Sequence, residues 1–361
     1  MAPHAQPAPP AAPSPSDPLA VDHIRSIFSP DTLVRRGFCT VAQGTERDSA
    51  GHRVYYELHG EDKPTSKRLV LIMGLSNSSF AWQHQVRHFA SQPGYATLVF
   101  DNRGVGWSDT PSPTSHAGRG YRTSEMARDV RELLQFVGWL EEGRRTLHVV
   151  GISMGGMIAQ ELALLIPTHL RTVLLTSTKS GHNRSLLHLP DLPTARATRM
   201  VLRQLVGLAK APEQQVEGIV EVLFPEEWLE ERVEEEGGEK TRREVVVKDF
   251  LHRYHLGRRQ TPAGRLAQTL AVMTHHVPPS SLRRIAESVP RVRVIHGEDD
   301  QLIRVGRGKE LSEDMPGSHL TLIPHAGHAL PVQIREQYNE WIRAAVEEEW
   351  TAEEEARARG G

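Results

Sequence analysis

One short turn constrains this chain more than any other stretch: Gly151-Ile152-Ser153-Met154-Gly155, with Gly156 following. Ahead of it runs a β-branched apolar segment, Leu147-His148-Val149-Val150. Behind it comes a good helix former, Met157 to Ile166, closed by Pro167. A strand that passes into a helix over a single serine forces that serine into strained backbone angles, and side chains two residues to either side would collide with the turn. Glycine at 151 and 155 removes the collision. The hydroxyl then projects beyond the carboxyl end of the strand, where open α/β sheets bind ligands, beside the amides and positive end of the helix. The same letters also fit a glycine-rich loop with no chemistry. The strand before and the helix after favour a nucleophile.

The chain around the turn alternates in kind. Short alternating segments, Phe38-Cys39-Thr40-Val41 and Val54-Tyr55-Tyr56-Glu57-Leu58, read as an antiparallel pair. Near-continuous apolar runs, Arg68–Met73, Tyr95–Phe100 and Leu170–Leu175, read as strands buried on both faces of a parallel sheet. Helical spacing appears from Ser79 to Ser91 and from Ser124, a candidate cap, to Leu140. The expected fold class is therefore α/β, a mostly parallel doubly wound sheet built from residues 38–180 and 283–349. Between these parts, residues 181–282 read as an inserted helical cap without strands. Its acidic stretch from Glu226 to Glu239 reads as a solvated helix face and loop. Residues 1–20 are Pro/Ala-rich and expected to be a disordered tail, and 350–361 a frayed charged one.

Composition excludes several functions. A formal net charge of −2 lacks the basic excess of a nucleic-acid binder. No apolar run approaches the roughly 18–20 residues of a membrane span, and no signal peptide is visible, so the expected place is the cytoplasm. Cys39 is the only cysteine, which rules out an internal disulfide and a zinc–thiolate cluster.

A serine hydroxyl needs a base, and the base needs a group to fix its tautomer. Among 19 histidines, position must choose. His328 follows the last strand, Leu320–Ile323, directly after Gly327, and His325 is its rival. The preceding strand, Val292–Ile295, leads to Glu298, Asp299 and Asp300. Asp300 is followed by apolar Leu302 and Ile303 and is the best placed of the three to tuck under the sheet edge. An oxyanion needs two aimed donors: the amide of Met154, and that of Leu75 after Gly74. In the loop Asp101-Asn102-Arg103-Gly104-Val105-Gly106-Trp107-Ser108-Asp109, Asp101 and Arg103 are candidates for a buried pair bracing the elbow. His275 and His276 could line a cap pocket, although exposed helix positions suit this polar context better.

In their order, the elbow, the Asp101–Asp109 loop, Tyr121–Asp129, His296-Gly297-Glu298-Asp299-Asp300 and Gly327-His328 resemble the α/β-hydrolase superfamily across residues 38–345, and within it the serine esterase and lipase-like branch of aclacinomycin methylesterase type. The resemblance implies Ser153 as nucleophile, Asp300 as acid, His328 as base, and Leu75 and Met154 as oxyanion amides. It implies hydrolysis of a small-molecule carboxylic ester without cofactor or metal. One departure is Met73-Gly74, where many relatives have His-Gly, so the bracing of that loop is open. Acyl transfer, C–C hydrolysis, perhydrolysis and amide hydrolysis use the same fold. A non-catalytic receptor on the hydrolase core is the rival from another class.

Overall fold

The structure, a computed structural model, describes residues 21, 23–44, 50–111, 121–182, 198, 211–235 and 238–360. The proline-rich segment 1–20 lies outside the described residues. Eight strands form the central sheet: β1 (Leu33–Val41), β2 (His52–Gly60), β3 (Lys67–Ile72), β4 (Tyr95–Phe100), β5 (Leu147–Ile152), β6 (Leu170–Thr176), β9 (Arg291–Gly297) and β10 (His319–Ile323), with β7 and β8 elsewhere. Their order is β1-β2-β4-β3-β5-β6-β9-β10. Only the β1–β2 and β2–β4 pairs are antiparallel. The interior strands are buried along nearly their whole length, as their unbroken apolar runs require once helices cover both faces.

Helices α2 (Thr123–Phe136), α3 (Met154–Leu165) and α8 (Pro279–Ser288) cover one face, packing Val130, Leu134, Ile158, Leu162 and Ile285 on it. Helices α1 (Gln83–Ala90) and α11 (Arg335–Glu347) cover the other with Val86, Phe89, Tyr338 and Ile342. The chain leaves β3 toward β4 on one side and returns to β5 on the other. That reversal opens a crevice between the carboxyl ends of β3 and β5.

After β6 the chain departs at Ser180 and comes back at Val277, whose amide donates to the Ser180 carbonyl at 2.8 Å. Between these points lie helices α4 (Pro212–Leu223), α5 (Glu226–Glu230), α6 (Arg242–Leu256) and α7 (Pro262–Thr274). Three expectations change here. The acidic segment forms a strand pair, β7 (Arg232–Glu235) with β8 (Gly238–Thr241), so the insertion is not purely helical. This ribbon has almost no apolar residue to announce it; its backbone ladder and an Arg232–Glu239 ion pair of 3.1 Å join the strands. The division at residue 282 also cuts through α8, which packs on α3 through Leu282, Ile285 and Ala286 and so sits with the sheet. Third, Ser124 does not cap α2: that helix begins at Thr123, whose hydroxyl lies 2.8 Å from His275 Nδ1 instead.

The charged carboxyl end is a helix, α12 (Ala352–Gly360), rather than a frayed tail. Buried Arg291 holds it through a bidentate pair with Glu354, 2.7 and 2.9 Å. Composition shows the charges of this segment but not the guanidinium waiting for one of them. Among the described residues no helix is long and apolar enough to cross a membrane.

Candidate active site

Ser153 joins β5 to α3 with φ 56° and ψ −122°, a conformation that L residues adopt only under constraint. The constraint is visible on both sides. A Cβ at Gly151 would run into the carbonyl of Gly155, and a Cβ at Gly155 into that of Ile72 on β3. The turn is pinned by Ser153 N donating to Thr176 O at 2.9 Å and by the Thr178 hydroxyl donating to Ser153 O at 2.8 Å.

β9 and β10 end side by side, with Ile323 paired to Gly297. Gly297 has no Cβ to hold off the carbonyls of Ala326 and Gly327, so the two following loops meet. Asp300 lies buried where they touch. Its Oδ1 accepts from the amides of Leu302 and Ile303 at 2.8 and 2.9 Å, and its Oδ2 accepts from His328 Nδ1 at 2.7 Å. His296 Nε2, which donates to Ile303 O at 2.7 Å, stands 3.3 Å from the same Oδ2. Burial pushes the Asp300 carboxyl up, but the charge of His328 and the hydrogen bonds from both histidines outweigh it and hold the group well below the usual carboxylate range. An ionised Asp300 only accepts, so Nδ1 of His328 carries a proton, and in the neutral imidazole Nε2 is the nitrogen with the lone pair. In this structure Ser153 Oγ and His328 Nε2 do not close a hydrogen bond; such bonds are commonly long or misaligned before substrate arrives. The His328 loop is held from the cap side, where His328 N donates to Leu223 O at the end of α4, 2.8 Å.

His325 is exposed and only its carbonyl is engaged, by Gln333 Nε2 at 3.0 Å. Glu298 and Asp299 are exposed as well. Neither the rival histidine nor the rival acids take part in the cluster.

The loop after β3 runs against the elbow. A Cβ on Gly74 would lie 3.1 Å from Ser153 Cβ and 3.7 Å from its Oγ. Among the described residues neither the amide of Leu75 nor that of Met154 donates to an acceptor. Two side chains brace the loop in place of the missing histidine. Asn102 Nδ2 donates to Met73 O at 2.9 Å, and Gln268 Oε1, reaching down from α7, accepts from Ser76 N at 3.0 Å.

The expected Asp101–Arg103 pair does not form. Arg103 grips Asp129 on α2 instead, both contacts 2.6 Å, while Asp101 accepts from Ser79 N, Ser79 Oγ and Trp107 N at 2.7–2.8 Å. Two residues apart on a turning loop, their side chains leave in different directions, and α2 supplies the nearer carboxylate. His275 is buried after the end of α7 rather than exposed on a helix, while His276 is exposed. Asn102, Asp129, Gln268 and His296 escaped the sequence reading in their present roles. Asn102, Asp129 and His296 lie within motifs already singled out; nothing in the sequence marks Gln268.

Beside this loop a cavity of about 300 Å³ opens between Ser76–Ser78, Val105 and the cap residues Ile219, Phe250 and Arg253. Its size suits a small molecule.

A model of the family Hydrolase_4, described as serine aminopeptidase, S33, matches residues 63–333, a span that holds every candidate site residue. The chain belongs to this family. Hydrolase_4 membership and the sheet topology agree on an α/β-hydrolase fold. Among curated relatives, RutD of Stutzerimonas stutzeri, whose name assigns it provisionally to carbamate hydrolysis, is 26% identical over 288 residues, covering 80% of this chain and 94% of that one. Among solved structures, the esterase RhEst1 from a Rhodococcus species superimposes with a TM-score of 0.64 at 20% identity, over 87% of this chain and 98% of the other. A bromoperoxidase from Bacillus anthracis gives 0.64 at 20% identity, over 87% and 100%. At such identities these likenesses speak for the fold alone.

Proposed function

We propose that this protein is a serine hydrolase that cleaves a small-molecule carboxylic ester through an acyl-enzyme. Ser153 attacks the carbonyl carbon and its proton passes to Nε2 of His328. Asp300 holds the imidazole by Nδ1 and stabilises the imidazolium. The negative charge that develops on the carbonyl oxygen is met by the amides of Leu75 and Met154. Collapse returns the proton to the leaving alcohol, and a water activated by His328 then releases the acid.

One conjunction supports this reading: a strained serine at φ 56° lies against Gly74, the amides of Leu75 and Met154 are uncommitted among the described residues, and a buried, ionised carboxylate orients the histidine of the neighbouring loop. The family description points toward peptide substrates. Removal of an N-terminal residue requires a counter-charge for the substrate ammonium, yet among its described lining residues the adjacent cavity presents arginines and no carboxylate. That favours an ester.

The test is a fluorophosphonate probe together with a rate panel of p-nitrophenyl esters, a lactone, an amide and a carbamate. We expect labelling at Ser153, ester turnover, and a loss of about 10⁶-fold in kcat for Ser153→Ala. Wild-type turnover by Ser153→Ala removes the serine from the mechanism, and absence of labelling in folded protein favours a receptor.

A further inference from the structure

The cap carries a buried cation that no group among the described residues neutralises. Arg253 on α6 is 8% exposed and lines the cavity beside the Gly74–Ser76 loop. Among the described residues its Nη1 has no hydrogen-bond partner, and no carboxylate lies within ion-pair distance of it. The guanidinium carbon sits 4.3 Å from the centroid of the Phe250 ring, a cation–π contact. Asp249, the acid whose charge it feels most, turns toward His84, 3.9 Å away. Burial pulls the guanidinium down, to about 10, which leaves it charged at neutral pH. Arg258, Arg259 and Arg265 also line the cavity, and no Asp or Glu appears among its described lining residues. A desolvated guanidinium without a counter-charge among the described residues is unfavourable for the folded chain by itself, and an arriving anion compensates for it.

The cavity wall continues along the chain into both halves of the candidate machinery. Ser76 and Asn77 in its wall follow Gly74, which borders the Ser153 hydroxyl. Ile219, also in its wall, sits one turn before Leu223, the residue that holds His328 N.

We propose that this cavity is an acid-recognition subsite in which Arg253 binds a carboxylate carried by the substrate, so that preferred substrates are half-esters of small dicarboxylic acids. The inference rests on the serine-esterase reading and narrows it to anionic esters. A planar carboxylate presents two oxygens to the fork of the guanidinium, which Phe250 contacts from the side of its ring face.

Two esters of equal acyl length separate the ideas: neutral p-nitrophenyl butyrate and mono-p-nitrophenyl succinate. Wild-type protein should favour the succinate in kcat/KM, chiefly through KM. In Arg253→Gln the succinate-to-butyrate ratio should fall about 10–100-fold, the worth of one or two lost charge-assisted hydrogen bonds. Arg253→Lys should recover part of it. A wild-type preference for butyrate, or a ratio unmoved by Arg253→Gln, overturns the subsite and leaves the esterase standing. Should neither ester be hydrolysed, the esterase reading fails, and calorimetric titration with succinate tests the subsite alone. Binding by wild-type protein that is lost in Arg253→Gln sustains it, and equal binding or none by either protein overturns it. Tighter binding of inorganic phosphate than of succinate overturns the choice of carboxylate. Because the substitution removes an unpartnered buried charge, the Arg253→Gln protein should melt no lower than wild type.

Discussion

Asp300→Asn isolates what the buried carboxylate does. Asparagine is nearly isosteric, and the amides of Leu302 and Ile303, 2.8 and 2.9 Å from Oδ1, hold its remaining oxygen at that corner. Its NH₂ then stands where Oδ2 had accepted from His328 Nδ1 at 2.7 Å, with His296 Nε2 only 3.3 Å off. Two donors now face a donor. Relief requires His328 to turn its Nδ1 lone pair to the amide and carry its proton on Nε2, where it cannot receive one from Ser153. Loss of the right tautomer in a Ser-His-Asp triad lowers kcat by about 10⁴-fold, or roughly 5 kcal/mol of barrier. Stability moves much less. One charge-assisted hydrogen bond of about 1.5–3 kcal/mol is lost, partly offset because a buried charge disappears. The assay is steady-state turnover of a p-nitrophenyl ester, with thermal melting to certify the fold. A folded Asp300→Asn protein within tenfold of wild-type kcat would refute the tautomer argument and Asp300 with it.

Two further outcomes follow from the same geometry. Gly155→Ala drives a Cβ into the carbonyl of Ile72, and backbone cannot yield as a side chain does, so the variant should lose about 3 kcal/mol or more, measured by urea unfolding; wild-type stability in that variant would contradict the crowded elbow. Stability should also fall on acidification. Burial, aided by nearby arginines for His148 and by Lys179 for His275, pulls both imidazoles from 6.5 down to about 3, so both are neutral when folded and bind protons only when unfolded across that window. Each then removes roughly 1 kcal/mol per pH unit as pH drops below 6.5, with Asp300 adding to the loss only below the ordinary carboxylate range. Urea unfolding at pH 7, 6 and 5 reads the slope, and His148→Gln should flatten it; an identical slope in that variant would contradict the assignment.

The sequence by itself determined the elbow, the parallel strands and the chain order of serine, acid and histidine. The elbow is legible because its physics is local: five residues decide whether a strand can turn into a helix over a serine, and glycine at 151 and 155 is the signature of that crowding. The buried strands are legible because a run such as Leu69–Ile72 is tolerable only when both faces are covered. Tertiary structure alone decided which charges meet. Arg103 had Asp101 two residues away and chose Asp129, because helix α2 brings that carboxylate within 2.6 Å. Gln268 reaches the Ser76 amide across 192 positions of chain, and Leu223 holds His328 from a different part of the fold. Arg253 reads as one more charge on an amphipathic helix until the described residues around it prove to lack a counter-ion. A hydrophobic pattern records which face of an element is buried. A hydrogen bond or ion pair depends on ångström-scale approach between segments whose relative placement no local pattern encodes.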